Sequence, residues 1–475
     1  EITHFDMAIN LDFIDEAYRD AIGTVDKDGK RIWAFPKKPS GNYHNKRVIA
    51  TVVFLVIFFT VPFIKIGGAP LLMFNIFERK FYIFGQLFLP QDILFFSIGL
   101  ITFFVFIILF TVVYGRVWCG WACPQTVFME MVFRKIEYWI DGDRKQQQKL
   151  MDMPWNSEKI RKRTLKYLIF LLISVLIAHT TMAYIIGVPA TIELVTHSPA
   201  NNLTGFIALV AFIAIFFFVF TRLREQVCIA ICPYGRLQGV LVGRNTMNVI
   251  YDFVRGEPRG KMKKGAIDTD KGDCIDCKLC VQVCPTNIDI RNGIQLECVN
   301  CTACIDACDD VMEKIDKPLG LIKFGSLESI ETKKPFRISP RAIGYSVVLL
   351  VLVGVEIFLL SGRSLIEATV LRVPGQLYQE MPNNRLSNLY NAQIMNKSQE
   401  DMVITLKVED ELADIKLVGN SQSIAVASGK KSEIVFFIEM NKADIEKRKT
   451  ELKVVIMQGD KEIETIKTTF LGYTE

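Results

Sequence analysis

Histidine is scarce in this chain, with four residues in 475, and the scarcity limits its chemistry. No haem-ligand pair of histidines on facing apolar stretches is evident, so a membrane haem held by two histidines is not indicated. Cysteine is missing from the last third of the chain, because all twelve lie between Cys119 and Cys308. The C-terminal region therefore has no disulfide and must be held by its core alone. No signal-peptide pattern opens the sequence, whose start is polar and acidic and places Trp33, Lys37 and Lys38 ahead of any apolar run. One further stretch, from Pro189 to Asn202, lacks Lys and Arg altogether, and this absence bears on topology.

What is present is oily. Apolar residues make up 50% of the chain and mean hydropathy is +0.27, more than a soluble domain carries. Five runs, Val48–Ile64, Ile93–Val113, Tyr167–Val188, Leu203–Phe220 and Ile343–Leu360, approach the roughly 20 residues that cross about 30 Å of hydrocarbon. Pro70 to Leu89 is also apolar, but Glu78, Arg79 and Lys80 interrupt it, which predicts an interfacial or re-entrant piece. Residues 1–47 hold eight Lys or Arg and the link from Arg116 to Lys166 holds eleven. The positive-inside rule then puts the N-terminus, both basic links and everything between spans four and five in the cytoplasm of a bacterial inner membrane, with the C-terminus outside. The expected organisation is a cytoplasmic arm (1–47), a four-helix membrane region (48–250), a cytoplasmic cysteine-rich domain (251–342), a fifth transmembrane helix (343–360) and a periplasmic domain (361–475). That last domain shows short β-rich runs such as Met402–Val408, Ile434–Ile438 and Leu452–Ile456, the pattern of an immunoglobulin-like sandwich. The fold class is thus a polytopic α-helical membrane protein with two appended domains.

The cysteine-rich domain carries the clearest chemistry. Cys274, Cys277, Cys280 and Cys284-Pro285 are followed by Cys298, Cys301, Cys304 and Cys308, so C-x2-C-x2-C-x3-C occurs twice. This is the bacterial-type two-cluster ferredoxin spacing, in which the fourth cysteine of each run ligates the other cluster. The assignment is Cys274, Cys277, Cys280 and Cys308 to one 4Fe–4S cluster, and Cys298, Cys301, Cys304 and Cys284 to a second. A zinc ribbon also uses paired C-x2-C motifs, but it has no use for the evenly stepped third cysteine or the proline.

The other four cysteines form two matched motifs. Cys119-Gly120-Trp121-Ala122-Cys123-Pro124 follows span two, and Cys228-Ile229-Ala230-Ile231-Cys232-Pro233 follows span four. On an α-helix residues four apart share a face, and the proline tends to end one helix or start another. The pattern reads as an internal duplication. Four converging thiolates suit Cu(I), zinc or an iron–sulfur centre, while a dithiol relay or close helix packing by small cysteines are the alternatives. His179, His197 and Met182 offer copper ligands near the outer surface, though isolated histidines are more often helix or interface residues. Glu356 inside span five is an ionisable group at membrane depth, close enough to the outer end to reach headgroups. Trp118, Trp121, Tyr138 and Trp139 are expected in an aromatic belt. The basic run Lys159, Arg161, Lys162 and Arg163 is a topology signal, and nucleic-acid binding has nothing else to support it.

Together these features resemble the CcoG family, also called FixG or RdxA, accessory proteins of cbb-type haem–copper oxidase assembly. The resemblance rests on Lys80–Gly85 with Leu89-Pro90-Gln91-Asp92, on Val117–Thr126 around the first C-x3-C-P, on Cys232-Pro233-Tyr234-Gly235, on the double ferredoxin motif and on the outer domain. It implies a membrane-bound reductase of Cu(II) to Cu(I), with two clusters on the eight ferredoxin cysteines and Cys119, Cys123, Cys228 and Cys232 as a copper or relay site. It also implies a cytosolic or quinol electron donor, with copper chaperones and oxidase assembly factors as partners. Two other classes stay open: an electron conduit to a periplasmic oxidoreductase, and a redox-sensing assembly scaffold.

Overall fold

The computed structural model describes residues 30–261 and 271–472, apart from 363, 365, 376, 383, 399, 411, 420–422 and 446, together with Thr24 and Asp28. Most of the N-terminal arm lies outside the described residues. The chain divides into two compact units. One takes in the chain up to Phe59, Gly99–Thr181 and Glu193–Val353, and the other Thr60–Ile98, Met182–Ile192 and the chain from Gly354 onward.

Among the described residues five helices, Asn42–Phe63, Ile93–Tyr114, Ser157–Ile186, Leu203–Leu223 and Pro340–Ser361, are long and apolar enough to cross a membrane, and they occupy the five apolar runs. A helix satisfies its own backbone where water is absent. The third begins well before its apolar run, because Asn156 Oδ1 accepts the Lys159 N–H at 2.9 Å and caps a polar first stretch. In the first unit an aromatic core ties helices together, with Phe133 stacked on Phe220 at 4.4 Å and edge-on to Phe170 at 4.7 Å. The cysteine-rich domain folds around an antiparallel pair, Asn248–Tyr251 with Ile322–Gly325, and the helix Ala303–Lys314. Its core consists of Val249, Ile290, Ile305, Met312 and Leu321 and includes cysteine sulfurs. This domain is joined to the first membrane helix by a cap: Asp306 accepts the N–H groups of Tyr43 and His44 at 3.0 and 2.7 Å.

The second unit contains the expected sandwich. One sheet runs Ala413–Leu417, Lys431–Asn441, Arg385–Asn396, Ile366–Arg372, with Gln379–Met381 also on Arg385–Asn396; the other runs Ile424–Val426, Met402–Val408, Lys449–Gln458, Lys461–Leu471. Alternation does the sorting: Met402, Ile404 and Leu406 are buried while Val403 is exposed. Tyr390 stacks on Phe436 at 5.6 Å, and its hydroxyl donates to the Thr469 carbonyl at 2.9 Å.

The stretch Pro70–Leu89, read from sequence as an interfacial or re-entrant piece, is built of strands. It forms a three-stranded antiparallel meander, Leu72–Asn75, Lys80–Ile83 and Gln86–Phe88. The charges that interrupt the apolar run lie at its first turn, where Asn75 Oδ1 accepts the Glu78 N–H at 2.9 Å and Arg79 takes φ 57°. The second turn is Phe84-Gly85, both at positive φ, the type I′ geometry that matches strand twist. Asp92 at the meander's end pairs with Lys397 of the sandwich at 2.7 Å, and Lys397 also reaches Glu367 at 2.7 Å.

Candidate redox centre

The two ferredoxin runs fold alike because they repeat an unusual backbone. Asp276 and Lys278 take φ 52° and 58°, and Asn300 and Thr302, at the same places in the second run, take 52° and 65°. Asp and Asn tolerate this left-handed conformation because their short polar side chains bond locally. Cys274, Cys277, Cys280 and Cys308 line one cavity. Cys284, Cys298, Cys301 and Cys304 line a second, with Cys280 on the wall between them. The chain therefore brings together the two crossed sets. Burial pushes the Cys280, Cys298 and Cys308 thiols up to about 12 and Cys301 to about 11, and it also raises Cys284 and Cys304. Without metal these are neutral thiols; iron deprotonates its thiolate ligands. Four soft donors around each enclosed, mostly apolar space fit a cubane cluster.

The C-x3-C-P motifs also share one geometry, and it is not the single α-helix that i, i+4 spacing predicts. Cys119 sits in the helical turn Val117–Trp121, but Cys123 is extended (φ −63°, ψ 125°) and leads into the next helix at Pro124. Cys232 is likewise extended (φ −69°, ψ 114°) before the helix Pro233–Leu241. In both, the second cysteine donates its N–H five residues back, Cys123 to Trp118 at 2.9 Å and Cys232 to Val227 at 2.8 Å. The cause is the proline, which disfavours helical conformation in the residue before it and starts a new helix itself. Even the entry is duplicated: Gly115 and Arg224, each four residues before the first cysteine, take φ 56° and 55°.

The two motifs meet. The Thr126 hydroxyl lies 3.9 Å from Cys228 Sγ, and the Cys119 thiol donates to Gln238 Oε1 at 3.6 Å. Burial lifts the Cys228 thiol to about 12, and the Cys123, Cys119 and Cys232 sulfurs are near enough to push the same way. Cys119 is also raised by burial, partly offset by the Arg116 guanidinium beside it. Among the described residues no three His, Cys, Asp or Glu side chains approach closely enough for one metal ion.

The ferredoxin packs directly on the first motif. Trp121 Nε1 donates to the Asn300 carbonyl at 3.2 Å, and buried Arg47 donates from Nε to the Gly120 carbonyl at 2.7 Å. Arg47 acts on Cys301, and Arg116 acts on both Cys119 and Cys298. Gly120 faces the Val299 carbonyl so closely that a Cβ would stand 2.3 Å from it. Arg47, Arg116, Asn300 and Gln238 carry no signal in spacing; Gly120 sits inside a recognised motif, but its role depends on a neighbour 179 residues away.

Beside the second motif lies a buried charge network. Arg224 makes a two-pronged pair with Glu137 at 3.0 and 2.8 Å, Arg134 reaches Glu130 at 3.0 Å and Glu225 at 3.6 Å, Arg31 reaches Glu225 at 2.8 Å, and Lys166 pairs with Asp141. Burial pushes Glu137 up, but Arg224, Lys166 and Arg134 outweigh it and hold the carboxyl below its usual range.

Other expected candidates stand apart. His179 Nδ1 faces its own helix's Val175 carbonyl at 2.7 Å, and exposed His197 faces the Glu193 carbonyl at 3.1 Å. Glu356 is partly buried in the fifth helix. Trp121 and Tyr138, expected in the aromatic belt, make hydrogen bonds within the protein: Trp121 bonds Asn300 and the Tyr138 hydroxyl donates to the Pro36 carbonyl at 3.1 Å. Trp118 and Trp139 are exposed.

Comparison with known proteins agrees with this anatomy. The chain is 36% identical over 414 residues to Protein RdxB of Cereibacter sphaeroides, covering 83% of this chain and 86% of that protein. It is 34% identical to Protein RdxA of the same organism, covering 79% and 82%. The chain belongs to the FixG/RdxA family. Nitrogen fixation protein FixG of Rhizobium meliloti is 36% identical over 307 residues, 63% of this chain and 58% of that one. Family profiles match a 4Fe-4S dicluster domain at 223–327, a 4Fe-4S binding domain at 96–145, and the IG-like fold at the C-terminus of FixG at 357–473. As a FixG/RdxA member the protein is an iron–sulfur oxidoreductase with five apolar helices and an Ig-like C-terminal domain.

Proposed function

We propose that the protein is a membrane-bound reductase of Cu(II) to Cu(I) serving assembly of a cbb-type haem–copper oxidase. The observation that carries the reading is the packing of the Cys298–Cys301 loop on the Cys119–Trp121 turn, which joins a cluster-binding set to soft sulfur donors. Cys274, Cys277, Cys280 and Cys308 would hold one cluster, and Cys284, Cys298, Cys301 and Cys304 the other. Bound clusters supply electrons singly, which is what cupric reduction needs. Copper is the substrate: each Cu(II) gains one electron, drawn originally from a cytosolic low-potential donor or a quinol. Sulfur favours the Cu(I) product over Cu(II), so Cys119, Cys123, Cys228 and Cys232 form the electron exit. Arg47 and Arg116 balance negative charge between the two sites. The basic links favour a cytoplasmic ferredoxin and an outer sandwich, which would meet copper chaperones or oxidase assembly factors.

The test is anaerobic. The purified protein is reduced, Cu(II) is added, and cluster reoxidation is followed together with Cu(I) trapped by a chelator. One Cu(I) per electron released, lost on Cys119→Ser/Cys123→Ser substitution, is the expected result. Reduced clusters that ignore copper would overturn it in favour of a general conduit or a scaffold.

A further inference from the structure

We propose that Cys119, Cys123, Cys228 and Cys232 jointly ligate a third iron–sulfur cluster of the four-iron class. This deepens the reading above, since the exit site then passes electrons rather than storing copper, but its test does not depend on copper.

Four observations carry it. First, each motif supplies two thiols, half of what a four-iron cluster takes, and the duplicated turns, linked through Thr126–Cys228 and Cys119–Gln238, bring the two halves together. The segment 96–145 that matches a 4Fe-4S binding domain contains only Cys119 and Cys123, so it is incomplete without the second motif. Second, the four donors face one another: the Cys123, Cys119 and Cys232 sulfurs all act on Cys228, and among the described residues no three His, Cys, Asp or Glu side chains are grouped for a single ion, here or at the ferredoxin sets.

Third, the site holds a cation that needs an anion. Arg116 is 6% exposed, sits against Cys119, and its Nε has no hydrogen-bond partner. Four neutral thiols or two disulfides offer that buried charge no counter-ion. A cluster held by four thiolates carries net negative charge and compensates it. Fourth, the loop bearing Cys298 and Cys301 rests on the Cys119 turn through Trp121–Asn300 and Arg47–Gly120, so a cluster here continues the series set by the other two.

The experiment counts metal. The full-length protein, extracted and reconstituted anaerobically, should hold about 12 iron and 12 sulfide per chain, three four-iron clusters. Cys119→Ser/Cys123→Ser and Cys228→Ser/Cys232→Ser should each fall to about 8, losing the same Mössbauer component and keeping the two ferredoxin signals. About 8 iron in the unaltered chain with four alkylatable cysteines, or one zinc or copper per chain in place of the extra iron, would overturn the proposal. Because the unaltered chain is counted first, misfolding of a variant cannot mask the answer. Full iron with no copper reduction would remove the proposed function and leave this site standing.

Discussion

Replacing Gly120 with Ala should separate the ferredoxin from the C-x3-C-P site without removing a single ligand. The new Cβ would lie 2.3 Å from the Val299 carbonyl oxygen and 3.0 Å from the Asn300 backbone, where ordinary contact begins at 3.4 Å. The obstruction is backbone and cannot rotate aside, so the loop between Cys298 and Cys301 has to retreat by about 1 Å. Overpacking of this kind costs about 1–3 kcal/mol. The retreat also strains the Arg47–Gly120 and Trp121–Asn300 hydrogen bonds, about 1 kcal/mol each. Alanine returns about 1 kcal/mol of helix propensity in the turn Val117–Trp121. The net, about 2–4 kcal/mol against the docked arrangement, shifts the docking equilibrium by about 30- to 800-fold. Stopped-flow reoxidation by Cu(II) should slow by about 30-fold or more while iron content and cluster spectra stay unchanged. Gly239→Ala is the control, because its Cβ meets only the Leu296 side-chain end at 2.4 Å, which swings away. An unaltered rate in Gly120→Ala would refute the reasoning, and so would loss of iron, which would make the glycine an assembly residue rather than a docking one.

Three further outcomes are expected. Arg224→Met should destabilise the protein in detergent by about 3–5 kcal/mol, because Glu137 stays buried with its best partner gone. Adding Glu137→Met should recover most of the loss, and a single variant that denatures like the parent would contradict this. Since Glu137 is held below its usual range, the stabilisation is full at and above that range and disappears only as pH falls beneath it. Glu464 has the opposite sign: burial lifts it to about 7, helped by Glu367 and opposed by the Ala368 amide and Lys397. The sandwich should thus lose about 1–2 kcal/mol between pH 5 and pH 8, after discounting for partial exposure. Thermal unfolding of Glu464→Gln that keeps the full pH slope would exclude this residue as its source. Cys284→Ser should damage the cluster assigned to Cys298, Cys301 and Cys304; selective loss of the other EPR signal would refute the crossed sets.

Much of this anatomy was legible in the sequence because it is local. Apolar runs of membrane length, strict C-x2-C steps and period-two alternation each write their geometry within a few residues. The meander was missed because Glu78, Arg79 and Lys80 look like an interruption of one element, whereas they lie at the turn between two. The form of the C-x3-C-P turns was half legible: proline marked the break, but i, i+4 arithmetic hid the extended second cysteine. The docking partners were illegible in principle. Asp306 stands between two cluster cysteines and caps a helix more than 250 residues away, a relation that exists only in the folded chain.

The duplicated motif shows how one backbone serves two different ends. Position four before the first cysteine needs a positive-φ residue in both halves. The first half uses Gly115, whose lack of a side chain lets Asn248 close over it, its Oδ1 within 2.3 Å of where a Cβ would stand. This leaves Arg116, the next residue, directed at Cys119. In the second half the positive-φ residue is Arg224 itself (φ 55°, ψ −125°), strained by about 1–3 kcal/mol and held there by Glu137, while its neighbour Glu225 is neutralised by Arg31 and Arg134. The second half thus pairs its charges with one another, and the first half turns its cation toward a sulfur. That asymmetry gives Arg116 a hold on both Cys119 and Cys298, on the side where the ferredoxin docks.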